Sequence, residues 1–140
     1  MKVIVDTSVW SLALRRRKEN LSETEGLIVK ELSELINETR VVMIGPIRQE
    51  LLSGISKKKS FETLKQNLSF FEDFWVETKD FETAAKFFNE CRKNGIQGSF
   101  TDFLICAIAY NHKLAIFTTD KDFDNYSKVL NLNLHKGRDE

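Results

Sequence analysis

Val3-Ile4-Val5-Asp6-Thr7-Ser8 near one end of the chain and Ala115-Ile116-Phe117-Thr118-Thr119-Asp120 near the other follow one pattern: a short apolar run closed by a hydroxyl-flanked aspartate. Such a run, apolar without alternation, reads as a strand buried on both faces of a parallel sheet. Open parallel sheets take their ligands just beyond the carboxyl ends of the strands, where the strand order reverses. If these two strands are neighbours there, Asp6 and Asp120 reach into one crevice. Neither motif carries a basic residue, and crowded carboxylates repel one another and tend to hold their protons. A divalent cation removes that conflict, so the pattern points to a metal site.

Composition is that of one compact enzyme-sized domain. A chain of 140 residues fits a single domain over 1–140 and is long enough to bury a core, to which 11 phenylalanines contribute. No apolar stretch approaches the roughly 20 residues of a membrane span, and no signal-peptide pattern follows Lys2, so a cytoplasmic location is expected. Cys91 and Cys106 fall in helical patterns and form no CxxC motif, which reads as buried free thiols. With 21 Lys+Arg against 21 Asp+Glu, bulk charge does not advertise nucleic-acid binding. The clusters Arg15-Arg16-Arg17-Lys18 and Lys57-Lys58-Lys59 are the places to meet phosphate, or simply solvated helix ends.

Strands and helices alternate along the chain, which implies a parallel sheet between helical layers. Val9 to about Arg17 reads as helix. Ser22-Glu23-Thr24-Glu25 is a capping box ahead of Ile28, Leu32, Leu35 and Ile36 at helical spacing. Val41–Ile44 is a second strand, and Pro46 stands where a helix begins. Phe61, Leu64, Leu68 and Phe71 form a helical stripe, followed by a weaker third strand at Phe74-Trp75-Val76. Asp80 caps a helix that runs to Asn94-Gly95, and Ser99 opens the next one. Asp120 closes the fourth strand, and Leu132–Leu134 is a short fifth.

Two further acids lie on apolar helix faces. Ile47, Glu50, Leu51 and Gly54 follow one face, and Asp102, Ile105, Cys106 and Ala109 another. A buried carboxylate is costly unless paired or bound to metal, and neither has a basic residue one turn away on that stripe. Each acid also has a plain explanation. Asp6 and Asp120 suit helix N-caps, Ser99 and Asp102 fit a capping box, and Glu50 fits a partly exposed helix position. Taken together they share one rim of the sheet, and that favours a site.

On these residues the chain resembles PIN-domain proteins, specifically VapC-type toxin ribonucleases of toxin–antitoxin pairs. The resemblance rests on Val5-Asp6-Thr7-Ser8, Pro46-Ile47-Arg48-Gln49-Glu50-Leu51, Asp102-Phe103-Leu104-Ile105-Cys106-Ala107 and Thr118-Thr119-Asp120-Lys121-Asp122-Phe123, in that order. Cys106, in place of a small aliphatic residue, and the bulky Phe100-Thr101 are the departures. The resemblance implies a three-layer α/β/α sandwich with a five-stranded parallel sheet, order 3-2-1-4-5. It implies Mg²⁺ or Mn²⁺ held by Asp6, Glu50, Asp102 and Asp120, with Asp122 a further ligand, and Asp124 on the surface. Oxygen-only donors suit those ions. Thr7, Ser8, Thr118 and Thr119 would support the carboxylates or contact phosphate. The implied activity is hydrolysis of RNA phosphodiesters, and the implied partners are a small VapB-like antitoxin and a second copy in a homodimer.

Other candidates carry less. His112 sits near a helix C-terminus, where a cation is favourable, and His135 has no evident partner. Trp10 and Trp75 read as packing residues. The doublets Phe70-Phe71 and Phe87-Phe88 each put one ring beyond the core stripe. Two rival readings are a phosphoacceptor module and a scaffold that binds RNA without cutting it. The first needs an aspartate after the third strand and a lysine after the fifth, where this chain offers Glu77 and, less clearly, Lys136.

Overall fold

The computed structural model describes residues 1–139. Three parallel strands form the sheet: β1 (Val3–Val5) in the centre, β2 (Val41–Val42) on one side and β3 (Ala115–Phe117) on the other. Val3, Ile4, Val5 and Ile116 are wholly buried, as their unbroken apolar runs require. The chain leaves β1 for β2 on one flank and reaches β3 on the other, so strand order reverses beside β1. Beyond the strand ends, the Asp6 N–H donates to the Phe117 carbonyl at 2.9 Å.

The expected five strands reduce to three. The outer positions of the 3-2-1-4-5 order are filled by single parallel bridges, Met43 to Asp73 and Ile116 to Leu134. Their hydrogen bonds are sound: Phe74 N–H to the Met43 carbonyl at 2.7 Å, and His135 N–H to the Ile116 carbonyl at 2.7 Å. Short edges leave few unpaired backbone groups for another chain to join. Trp75 follows the first bridge and is 81% exposed, which corrects its reading as a packing residue. Trp10 does pack, edge-on against Phe71 at 5.2 Å.

Helices surround the sheet. α1 (Thr7–Arg15) packs on α2 (Glu23–Asn37) and on α3 (Gly45–Leu52), which in turn meets α4 (Lys58–Leu68). α5 (Thr78–Lys93) packs along α6 (Phe100–His112), and α6 lies on β3. A short α7 (Asp122–Tyr126) follows β3. Residues Phe103–Ala109 of α6 are all buried, so this helix is apolar nearly all round. The Ser22 capping box forms as expected. α5 begins two residues before Asp80, which is therefore its third residue and accepts from the Glu77 N–H at 2.9 Å. Cys91 and Cys106 are free and buried.

His135 finds a partner that sequence did not supply. Its ring nitrogen lies 2.6 Å from Oε2 of Glu31, a buried acid on α2, and Arg138 Nε donates to Oε1 of the same carboxylate at 2.8 Å. Arg138 also bonds both oxygens of Glu38. Burial would raise Glu31, but the bonds from His135 and Arg138 outweigh it and hold the carboxyl low. Arg138, chiefly, holds Glu38 at about 2. Both groups are depressed, so their contribution is complete above an unfolded carboxylate pKa of about 4.3 and fades as pH falls through the folded values. Amide exchange should therefore show the His135 N–H losing protection between about pH 4 and pH 2. Arg138→Ala should shrink that pH step to the part that the His135–Glu31 bond holds.

Candidate metal centre

The crevice beyond β1 and β3 is built from chain segments that begin helices. Asp6 ends β1 and caps α1: its Oδ2 accepts from the Ser8 hydroxyl at 2.7 Å and from the Ser8 N–H at 3.4 Å. From across the sheet, the Thr118 hydroxyl donates to the same oxygen at 2.8 Å. The Thr119 N–H donates to Ser8 Oγ at 3.0 Å, locking the two motifs together. The two hydroxyl-flanked motifs, which follow adjacent strands, are thus tied to each other. Thr7 stands apart, with a buried hydroxyl that has no partner among the described residues.

Asp102 enters from the first turn of α6. Ser99 accepts its N–H at 3.0 Å, so the helix is capped as expected. Its carboxylate turns to α7 instead, where Oδ2 accepts from the Tyr126 hydroxyl at 2.7 Å. Burial raises the Asp102 carboxyl above its ordinary value, and the carboxylates of Asp6 and Asp120 push it further. The hydroxyls of Tyr126 and Ser99 offset part of that. The same burial, with Asp102 beside it, keeps the Tyr126 phenol protonated far above the usual range, so it stays a donor to the Asp102 carboxylate.

Asp120 accepts the Asp122 N–H on Oδ1 at 2.9 Å, a local turn that starts α7. Asp102, Asp120 and Asp122 each offer a carboxylate oxygen within 4.8 Å of the others. Asp122, expected only as a further ligand, is in this tight trio. Asp6 stands outside the 4.8 Å group yet close enough to act on Asp102 electrostatically. Glu50 differs from expectation: it is exposed on α3 and belongs to no such group among the described residues. The i, i+3, i+4 pattern that placed it with Ile47 and Leu51 covers a narrower strip in a helix of only eight residues.

Asp6, Asp102 and Asp120 share one arrangement. In each, the protein ties one oxygen, and among the described residues the other has no hydrogen-bond donor. Neither these three aspartates nor Asp122 forms a salt bridge there. Oriented, anionic and unpaired oxygen donors fit a hard divalent cation such as Mg²⁺ or Mn²⁺. A second acidic group, Glu77, Asp80 and His112, does not have this character. Asp80 spends both oxygens on Asn111, His112 and the Glu77 N–H, and Glu77 pairs with Lys79 at 3.4 Å.

Sequence reasoning missed Tyr126. The signal was its place one turn after Asp122, on the helix that the Thr118–Phe123 motif opens.

A family profile described as "PIN domain" matches residues 3–129. Ribonuclease VapC11 of Mycobacterium tuberculosis is 30% identical over 134 residues, covering 93% of this chain and 95% of that protein. The structure of FitAcB from Neisseria gonorrhoeae superposes with a TM-score of 0.74 at 21% identity, covering 96% of each chain. VapBC2 from Rickettsia felis, solved with a DNA fragment from its promoter, gives 0.75 at 18% identity, covering 96% of this chain and 98% of that one. No helix among the described residues is long and apolar enough to cross a membrane.

Proposed function

The chain belongs to the PIN-domain family, among its VapC-type members, and from that premise we propose that it is a divalent-cation-dependent endoribonuclease, the toxin of a toxin–antitoxin pair. The observation that carries this reading is the row of braced aspartates with unpaired oxygens at one rim of the sheet. Asp102, Asp120 and Asp122 would hold the cation, with Asp6 completing the site from β1. Glu50 would contribute from the rim through water. When bound, Mg²⁺ or Mn²⁺ supplies positive charge at the scissile phosphate and lowers the pKa of an attacking water.

The chain's own groups do the positioning. Ser8 and Thr118 fix Asp6, Ser99 fixes the helix end that presents Asp102, and the exposed Thr119 faces the approach of RNA. Water adds across the P–O bond, leaving a 5′-phosphate and a 3′-hydroxyl. We read residues 1–140 as one PIN domain acting in the cytoplasm, as a homodimer restrained by a VapB-like antitoxin. The solved relatives that are toxin–antitoxin complexes support that partner. Nothing in the geometry favours the phosphoacceptor reading, because Glu77 sits at the start of α5 and not in the acidic trio.

Purified protein incubated with cellular RNA should yield 5′-phosphorylated fragments with Mg²⁺ or Mn²⁺ and none with EDTA. Cleavage insensitive to the chelator, or no cleavage with either ion, would overturn the proposal. Ion binding should also raise the melting point. At 100 times Kd the gain is about 2.7 kcal/mol.

A further inference from the structure

We propose that Tyr126 is a positioning residue for Asp102: its phenol holds one carboxylate oxygen so that the other is presented to Asp120 and Asp122, and Gly98 provides the clearance that admits the phenol. The inference rests on the metal-dependent reading above and names how that site is kept in shape.

The geometry leaves the phenol little choice. Tyr126 is wholly buried, with its ring set against Phe103 at 4.9 Å and Phe123 at 5.2 Å. Its hydroxyl donates to Asp102 Oδ2 at 2.7 Å, a distance typical of a charge-assisted bond. A buried tyrosine needs some acceptor for its O–H, and a backbone carbonyl would serve as well. Here the bond falls on the one acid that α6 projects into the crevice. The terminal torsion of an aspartate has only a broad preference, so an unheld carboxylate sweeps a wide arc. The phenol removes that freedom before any ion arrives.

Gly98 shows that the fit is tight. A Cβ built there would lie 2.4 Å from the Tyr126 hydroxyl, 2.7 Å from Cζ and 2.8 Å from Cε1. Its φ is not among the left-handed glycines, Gly54 and Gly95, so the backbone does not demand glycine at this position. The requirement is steric and comes from the tyrosine. α7 also carries Asp122 one turn before Tyr126, so a single short helix sets both a candidate ligand and the partner of another.

The test is calorimetric titration of the full chain with Mn²⁺, for wild type, Tyr126→Phe, Gly98→Ala and Asp102→Asn, beside thermal melts in EDTA. Tyr126→Phe keeps the ring and should stay folded, while Mn²⁺ affinity falls about 10- to 100-fold, the usual effect of losing a partner that orients a ligand. Gly98→Ala should weaken binding in the same range by displacing the phenol. Combining the two should lower affinity by less than the product of the single effects, because both act on the same bond. A folded Tyr126→Phe protein with wild-type Mn²⁺ affinity, while Asp102→Asn loses it, would overturn the positioning role and leave the nuclease reading intact. Wild-type protein that binds no Mn²⁺ would overturn both.

Discussion

Asp102→Asn should reduce Mg²⁺-dependent RNA cleavage by at least about 100-fold, since loss of a mere orienting partner already costs up to that much. The variant should melt no lower than wild type in EDTA. Two features of the site require both results. Asp102 is the acid that the carboxylates of both Asp6 and Asp120 bear upon, so it is central to any ion held there. Its carboxyl is raised by burial and by those like charges, so the folded protein binds its proton more tightly than the unfolded chain. For a raised carboxyl, stability falls as pH climbs from the unfolded pKa to the folded one. At neutral pH the charged form is therefore a strain in the ion-free fold. Asparagine removes the charge and still accepts from Tyr126, so that strain is relieved. Cleavage assays and melts on the same preparation check the prediction. Undiminished activity would remove Asp102 from the site.

Asp80→Ala should have the opposite profile, a fold lowered by about 3 kcal/mol with the acidic crevice intact. Asp80 is fully buried where the start of α5 meets the end of α6. Its Oδ1 accepts from Asn111 Nδ2 at 2.8 Å and lies 3.0 Å from His112 Nε2, and its Oδ2 takes the Glu77 N–H at 2.9 Å. Alanine would take the carboxylate away from Asn111, His112 and the Glu77 N–H, with Asn111 keeping only Thr83 Oγ1 at 3.2 Å. For a domain of this size, the melting point should drop by roughly 10 °C. Burial would raise the Asp80 carboxyl, but bonds from Asn111, the Glu77 N–H and His112 outweigh it and keep it low. Its stabilisation is thus present above an unfolded pKa of about 3.9 and lost as pH falls through the folded value. The variant should accordingly show a flatter acid limb. Asp102 lies ten residues before His112, the Asp80 partner on α6, about 15 Å along the helix, so Mn²⁺ affinity should be unchanged in the folded fraction.

The central strands and the rim that carries the acids were legible because both are local patterns. An apolar run ending in Asp-Thr-Ser or Thr-Thr-Asp announces its burial and its terminus within six residues. The outer strands were not, because a single bridge has no periodicity to read: Asp73 and Leu134 are placed by what they reach, not by what surrounds them. Glu50 was assigned to a buried face by spacing alone, and exposure is settled by which neighbours stop short. Trp75 misled because an aromatic residue usually means core, yet beyond a sheet edge there is nothing for it to pack on. The contacts of Tyr126 with Asp102 and of His135 with Glu31 join residues 24 and 104 apart, and no local signal encodes them.

The pairing of β1 with β3 also governs when the centre exists. Asp6 is made before the trio from Asp102 to Asp122, and the long span between them has to close before the crevice forms. Closing so long a loop is slow compared with local helix formation. A nascent polypeptide therefore carries Asp6 without the rest of its acidic crevice until α6 and α7 have been made and β3 has docked on β1.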